Sequence, residues 1–224
     1  TVLLTLRYLI SIFFLIIALH VMAQKADTVE RSYVPTGVRF GVDMISIIRT
    51  PIEPKFSGWE AAADIDFDRY YLVLEAGRWS RDLSSENDTY SNRGNFWRAG
   101  VDMNFLKNDP ERNNFFLGLR YARGSFSEQL ITRVNDPVFG EGIIQNENID
   151  VGASWAELTT GLRVRMFSVL WMGYTIRYKF GLNTNESSGL VPYDVPGYGR
   201  TDKNTTWGFT YYVLVRVPFK GVKK

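Results

Sequence analysis

Glu60, Asp64 and Asp66 are the first residues of this chain whose types and spacing could do chemistry. On an extended strand, intervals of four and two place all three carboxylates on one face. Oxygen donors grouped in this way suit calcium or magnesium. The segment has no dedicated loop with the usual ligand spacing, and arginines are plentiful in the other segments. Ion pairing is therefore the expected use of these carboxylates, and no metal and no cofactor is expected.

The chain offers little for catalysis. A base that titrates near neutrality is usually histidine. The single histidine, His20, lies in a segment expected to be removed, and there is no cysteine to serve as nucleophile, zinc ligand or lipid anchor. A serine or aspartate nucleophile paired with a lysine or a carboxylate is the remaining route. No Gly-x-Ser-x-Gly elbow supports it. No catalytic residue and no enzymatic role are expected.

The elements that must position the charges read as strands. The 224 residues are 45% hydrophobic, 15% aromatic and 22% charged, which is too apolar for disorder and too polar for a helical membrane bundle. The net charge of +2 gives no bulk field for nucleic acid, and none is expected as a partner. Arg7, the apolar run Leu9–Leu19 and then Val21-Met22-Ala23 follow the pattern of a secretory signal peptide over residues 1–23. A short periplasmic segment, 24–36, would follow. From there on, the apolar period is two. Trp207, Phe209, Tyr211, Val213, Val215, Val217 and Phe219 share one face of the last segment, against Thr206, Gly208, Thr210, Tyr212, Leu214 and Arg216. Similar alternation marks 37–48, 59–68, 70–78, 96–106, 115–124, 155–166 and 170–182. Eight segments of about ten residues match the length a tilted strand needs to cross a bilayer.

The connections supply a second pattern. Residues 51–57, 81–95, 125–152 and 183–204 fall on one side, including all three long loops, and the tight turns at 68–69 and 167–168 fall on the other with the modest turn 107–113. Outer-membrane barrels have this asymmetry, with both termini periplasmic. The fold class expected is all-β: an eight-stranded antiparallel up-and-down transmembrane β-barrel over 37–219, preceded by a signal peptide and followed by a basic periplasmic tail, 220–224. A soluble sandwich or lipocalin-like barrel would turn the same apolar faces inward. Small residues beside the charges, and aromatics near strand ends (Trp59, Phe67, Trp97, Phe105), favour the membrane version.

The signal ending Val-Met-Ala-Gln, the eight alternating segments and the last strand together resemble the small outer-membrane barrels of Bacteroidetes-type bacteria, and in architecture the OmpA/OmpX type. The resemblance implies fold and location, not function. It implies that Tyr211, Val213, Val215, Val217 and Phe219 form a C-terminal assembly signal. One departure is that Lys220-Gly-Val-Lys-Lys224 follows Phe219.

Folding the pattern into a ring directs one set of charges inward. The acids are Asp43, Glu60, Asp64, Asp66, Glu75, Asp102 and Glu157; the bases are Arg39, Arg98, Arg120, Arg163, Arg165, Arg177, Lys179 and Arg216. Seven against eight is close to balance. An eight-stranded interior is just wide enough for side chains to fill, so these residues are expected to form an ion-pair network that plugs the barrel. Chemistry is then left to the loops. Residues 125–152 carry an apolar load unusual for a solvated loop, which suits an extended hairpin or a docking surface, and 183–204 are rich in Pro and Tyr. Either loop could cap the barrel or bind another outer-membrane protein, with outer-membrane lipid as the other partner. A structural or interaction role, such as an accessory subunit of an outer-membrane assembly, is expected; a narrow channel or a barrel that handles lipid or small solutes is the alternative.

Overall fold

Strict alternation of apolar and polar residues produces long antiparallel strands in the computed structural model, which describes residues 33–219 apart from 107, 139 and 186–189. The signal segment expected at 1–23, most of the 24–36 segment and the 220–224 tail lie outside the described residues. The elements are β1 (Gly37–Asp43), α1 (Met44–Ile52), β2 (Phe56–Phe67), β3 (Tyr70–Ser84), β4 (Asp88–Asn104), β5 (Asn114–Asp136), β6 (Gly140–Arg165), β7 (Leu170–Thr184), the two-residue β8 (Asp194–Val195) and β9 (Gly199–Arg200), and β10 (Thr205–Pro218). Eight of these strands close into an antiparallel barrel in the order β1-β10-β7-β6-β5-β4-β3-β2. β8 and β9 pair only with each other. Among the described residues no helix is long and apolar enough to cross a membrane.

Three expectations from sequence need correction. The first strand does not reach Ile48; it ends at Asp43, and the chain turns into α1. The Asp43 side chain caps the helix by accepting from the backbone N–H of Ile45 (3.2 Å) and Ser46 (3.0 Å). Pro51, which cannot donate to a ladder, sits in the last turn of this helix rather than in a connection. The polar loop expected at 81–95 is mostly strand, because β3 and β4 stay paired as far as Ser84–Thr89. Residues 125–152 fold back as an extended hairpin, the outcome their apolar load allowed, with β5 and β6 paired from Asn114–Arg163 to Asp136–Gly140 across one bulge near Phe126. These extensions carry the β3–β6 side beyond the end of β7, which stops pairing with β6 at Ala153–Thr184.

The barrel is inside out relative to a soluble protein. Leu72, Leu74, Val101, Leu117 and Leu119 face outward, the last at 63% exposure. Trp59, Trp97, Tyr121 and Trp207 mark one rim of the apolar belt, and Tyr70, Phe105, Phe115 and Phe167 the other. Trp97 and Phe105 are eight residues apart on one strand direction, about 21 Å along the axis for a tilt of about 40°. The inward faces hold arginines, carboxylates and glycines instead. A Cβ placed on Gly118 would overlap the Asp102 carboxylate, and one on Gly173 would come within 2.9 Å of Arg163 Cγ. Inward glycines on the wall thus leave the volume that the long charged side chains occupy.

Candidate functional site

Every wall strand contributes to one buried polar network. Across the middle of the interior, Arg98 from β4 and Arg177 from β7 meet Glu60 from β2, Glu75 from β3 and Glu157 from β6. Arg98 lies 2.8 Å from Glu60, 2.9 Å from Glu157 and 3.4 Å from Glu75. Arg177 lies 2.9 Å from Glu75, 3.3 Å from Glu60 and 3.4 Å from Glu157. Tyr212 from β10 donates to Glu60 and accepts from Arg177 Nη2 at 2.8 Å. Trp155 Nε1 donates to Glu157 at 2.7 Å. Arg120 from β5 pairs with Asp102 of β4 at 2.7 Å. One layer away, Asp64 bridges Arg39 of β1 (2.7 Å) and Arg163 of β6. The Arg39 guanidinium is held between Tyr71 (4.6 Å) and Trp171 (5.0 Å).

Burial explains why the pairing must be this dense. Arg98, Arg163, Arg177, Glu60, Glu75 and Glu157 are among the largest fully buried side chains. A lone charge there would carry a desolvation cost of several kcal/mol, and only dense pairing offsets it. The planar five-donor guanidinium can serve several carboxylates at once, as Arg98 and Arg177 do here.

The other inward charges take different positions. Asp43 is buried, but as the cap of α1, and it also accepts from Tyr211 N at 2.9 Å. Lys179 is buried, and its ammonium donates to the carbonyls of Gly197 (2.7 Å) and Tyr198 (2.9 Å). Asp66 and Arg216 are half-buried at the end that holds Thr36, 3.1 Å apart. Arg165 was expected inside and is not there: at the very end of β6 it is exposed and donates to the Phe167 carbonyl at 3.3 Å. Alternation fails as a guide where the strand runs out into its turn. Of the residues expected as an assembly signal, Tyr211, Val215 and Val217 are exposed on the outer face of β10 and Val213 is half-buried between them; Phe219 lies just past the strand, its N–H donating to the Thr36 carbonyl.

At the end opposite the termini, residues 190–204 fold into the mouth. Val195 and Tyr198 are fully buried with Phe96, Trp155 and Phe126. Arg98 donates to the Gly197 carbonyl at 3.0 Å, Arg81 pairs with Asp194 at 2.6 Å, and Asn148 donates to the Leu190 carbonyl. Burial pushes the Asp194 carboxyl above its ordinary range, with the Arg81 guanidinium opposing the shift. Gly197 takes φ +84 and lies flat against the Phe96 ring, where a Cβ would meet the ring at 2.5 Å. Of the two long segments, this one caps the barrel, whereas the β5–β6 hairpin projects with Val138, Ile143 and Ile149 exposed.

Several site residues were not singled out from sequence. Tyr212 lies on the inward face of its alternating strand, so its polarity and parity could have found it. Arg81 and Trp79 continue the inward parity of Tyr71 and Glu75 beyond the point where the third segment was ended. Asp194 and Gly197 had no periodic signal to find them, whereas Tyr198 lies in the Pro- and Tyr-rich segment expected to cap the barrel or bind a partner. Among the described residues no group of histidines, cysteines or carboxylates could hold a metal ion. Glu60 and Asp64 are engaged by arginines instead.

Residues 5–223 match the family model of a domain of unknown function, DUF6048. No curated protein matches the chain.

Proposed function

This chain belongs to the DUF6048 family, and we propose that it is an integral β-barrel of the bacterial outer membrane with a structural or protein-interaction role rather than a catalytic or conducting one. The observation that carries the reading is the inversion of polarity across the wall: Leu119 is 63% exposed outside while Arg98 and Arg177 are 1% exposed inside. A continuous apolar belt between two aromatic rims suits a lipid environment and would be an aggregation surface in water. The paired charges of the interior, closed at one mouth by residues 190–204, favour a role other than conduction. The projecting β5–β6 hairpin, with its exposed isoleucines, is the surface offered to a partner.

Purified protein from which the signal segment has been removed should need detergent to remain monodisperse. It should give no stepwise current in planar bilayers. Monodispersity in plain buffer would remove the membrane reading, and discrete conductance steps would move the function to a channel. Photocrosslinkers at Ile143 and Ile149 in intact cells should capture one discrete protein; recovery of lipid adducts alone would argue against the interaction role.

A further inference from the structure

We propose that the gap in the barrel wall between α1 and β10 is a lateral binding site for a membrane amphiphile with a phosphate headgroup. The headgroup enters the wall, and the acyl chain stays outside along Trp207 and Phe209. The proposal rests on the membrane-spanning reading given above.

The gap follows from the short first strand. β1 pairs with β2 only as far as Val42–Ala61 and with β10 only as far as Asp43–Tyr212. Beyond that level β2 and β10 are two strand spacings apart, about 9.6 Å, and a helix about 10 Å across occupies the space. A helix spends its backbone groups on itself and cannot continue the ladder. Side chains replace part of it. Thr50 Oγ1 donates to the Gly58 carbonyl at 3.0 Å and accepts from the Gly58 N–H at 3.1 Å, and Asp43 accepts from Tyr211 N. By the alternation of an antiparallel strand, the N–H groups of Phe209 and Trp207 point the same way as that of Tyr211, toward the gap. In hydrocarbon such an edge calls for acceptor oxygens.

Behind that edge lies a cavity of about 310 Å³. It runs from Trp207 and Phe209, which face outward at 70% and 53% exposure, to Glu60, Arg177 and Lys179 in the interior. Six bases line it (Arg49, Arg81, Arg98, Arg177, Lys179 and Arg200) with the carboxylates Asp43 and Glu60; the arginines also pair with Glu53, Asp194, Glu75, Glu157 and Asp202, so the site offers donors rather than an excess of positive charge. Two buried donors on its lining, Arg177 Nε and Trp79 Nε1, have no partner among the described residues. Phosphate supplies three strong acceptor oxygens for such donors. Gly208 keeps the passage open, since a Cβ there would meet Lys179 Cε at 2.9 Å and Nζ at 3.0 Å. On α1, Ile45 forms part of the lip, and Ile48 and Ile52 continue the apolar surface outward at helical spacing. Trp207 belongs to the upper aromatic rim, the depth at which headgroups meet acyl chains.

The test uses the purified protein in nanodiscs of phosphatidylcholine, with tryptophan fluorescence as readout. Dodecyl phosphate should bind saturably, about tenfold or more tightly than dodecylphosphocholine. Gly208→Leu, which fills the passage, should weaken binding about tenfold or more, and Arg200→Gln at the exposed rim about threefold. Phosphatidic acid built into the disc should compete if the occupant is a bilayer lipid; absence of competition, with dodecyl phosphate still bound, assigns the site to a single-chain amphiphile that arrives from solution. Equal binding by wild type and Gly208→Leu, both giving the same β-sheet circular dichroism, would overturn the proposal. Equal affinity for the phosphocholine compound, or for inorganic phosphate alone, would do the same. A protein that never enters the discs would refute the membrane reading instead, so the two failures are distinct.

Discussion

On the β4–β5 side, the barrel wall is one unbroken ladder from Asp88–Thr132 to Asn104–Phe116; on the β1 side, the ladder stops at Asp43–Tyr212 and a helix takes its place. The first side is held by backbone hydrogen bonds that any sequence of the right period could make, backed by an interior network of charges. The second is held by a few named side chains, Asp43 and Thr50 above all. The difference locates the least stable part of the wall, since local opening follows the density of buried contacts and ladder bonds. It also separates two uses of charge. Inside the closed wall, the arginines pair with carboxylates. At the seam, Lys179 donates to loop carbonyls instead.

The largest expected effect breaks the closed side. Arg98→Met removes the guanidinium that Glu60, Glu75 and Glu157 share and leaves three buried carboxylates with too few partners. Loss of one member of such a buried cluster costs about 3–5 kcal/mol. The urea midpoint in detergent micelles should fall sharply, or the barrel should fail to form. A midpoint unchanged from wild type would mean that the network adds nothing to holding the strands together.

Gly118→Val is expected to act next. Its side chain would collide with the Asp102 carboxylate and approach Thr159 Oγ1 at 2.8 Å, inside a wall that has no slack. Overpacking of this kind costs about 1–3 kcal/mol. The same unfolding measurement should show it, with the slope preserved because the surface exposed on unfolding is unchanged.

These two positions were within reach of the sequence because both follow from parity. A strand period of two assigns every residue to one face, so Glu60, Glu75, Arg98, Asp102, Arg120, Glu157, Arg163 and Arg177 could all be assigned to the inside before any contact was known. Parity assigns a side but not a partner or an end. It could not tell that Arg165 leaves the strand at its last residue, or that Lys179 reaches carbonyls and not a carboxylate. It also misread Met44–Ile48 as strand, where β-branched isoleucines favour one. The competing signals were Asp43 three residues before Ser46, isoleucines at 45, 48 and 52, and Pro51. They win because a helix fits the two-strand gap and a proline does not fit a ladder. The cap at 190–204 has no period, so only tertiary packing around Phe96 and Trp155 defines it.

A smaller effect sharpens the comparison at the seam. Thr50→Val keeps the shape of the side chain and removes both hydrogen bonds to Gly58. The expected cost is about 1–2 kcal/mol, confined to α1 and the adjoining edge of β2. Amide exchange should accelerate at Gly58 and through α1 while the β4–β5 amides stay protected. Uniform acceleration around the ring would mean that the seam and the closed wall open as one unit.

The smallest effect bounds the role of surface charge at the same seam. Arg49 of α1 and Glu53, its C-cap residue, form an i,i+4 pair at 2.7 Å, with side chains 38% and 47% exposed. Arg49 also stacks on Phe56 at 4.1 Å. Glu53→Gln removes the ion pair and leaves that stacking intact. At this exposure the pair is worth about 0.5 kcal/mol or less, and salt screens it further. The amide exchange of α1 should therefore change far less in Glu53→Gln than in Thr50→Val, and the difference should shrink as salt is raised. A response as large as that of Thr50→Val would show that α1 is held in the gap by its outer charges, and that the side-chain hydrogen bonds to the strand edges are secondary.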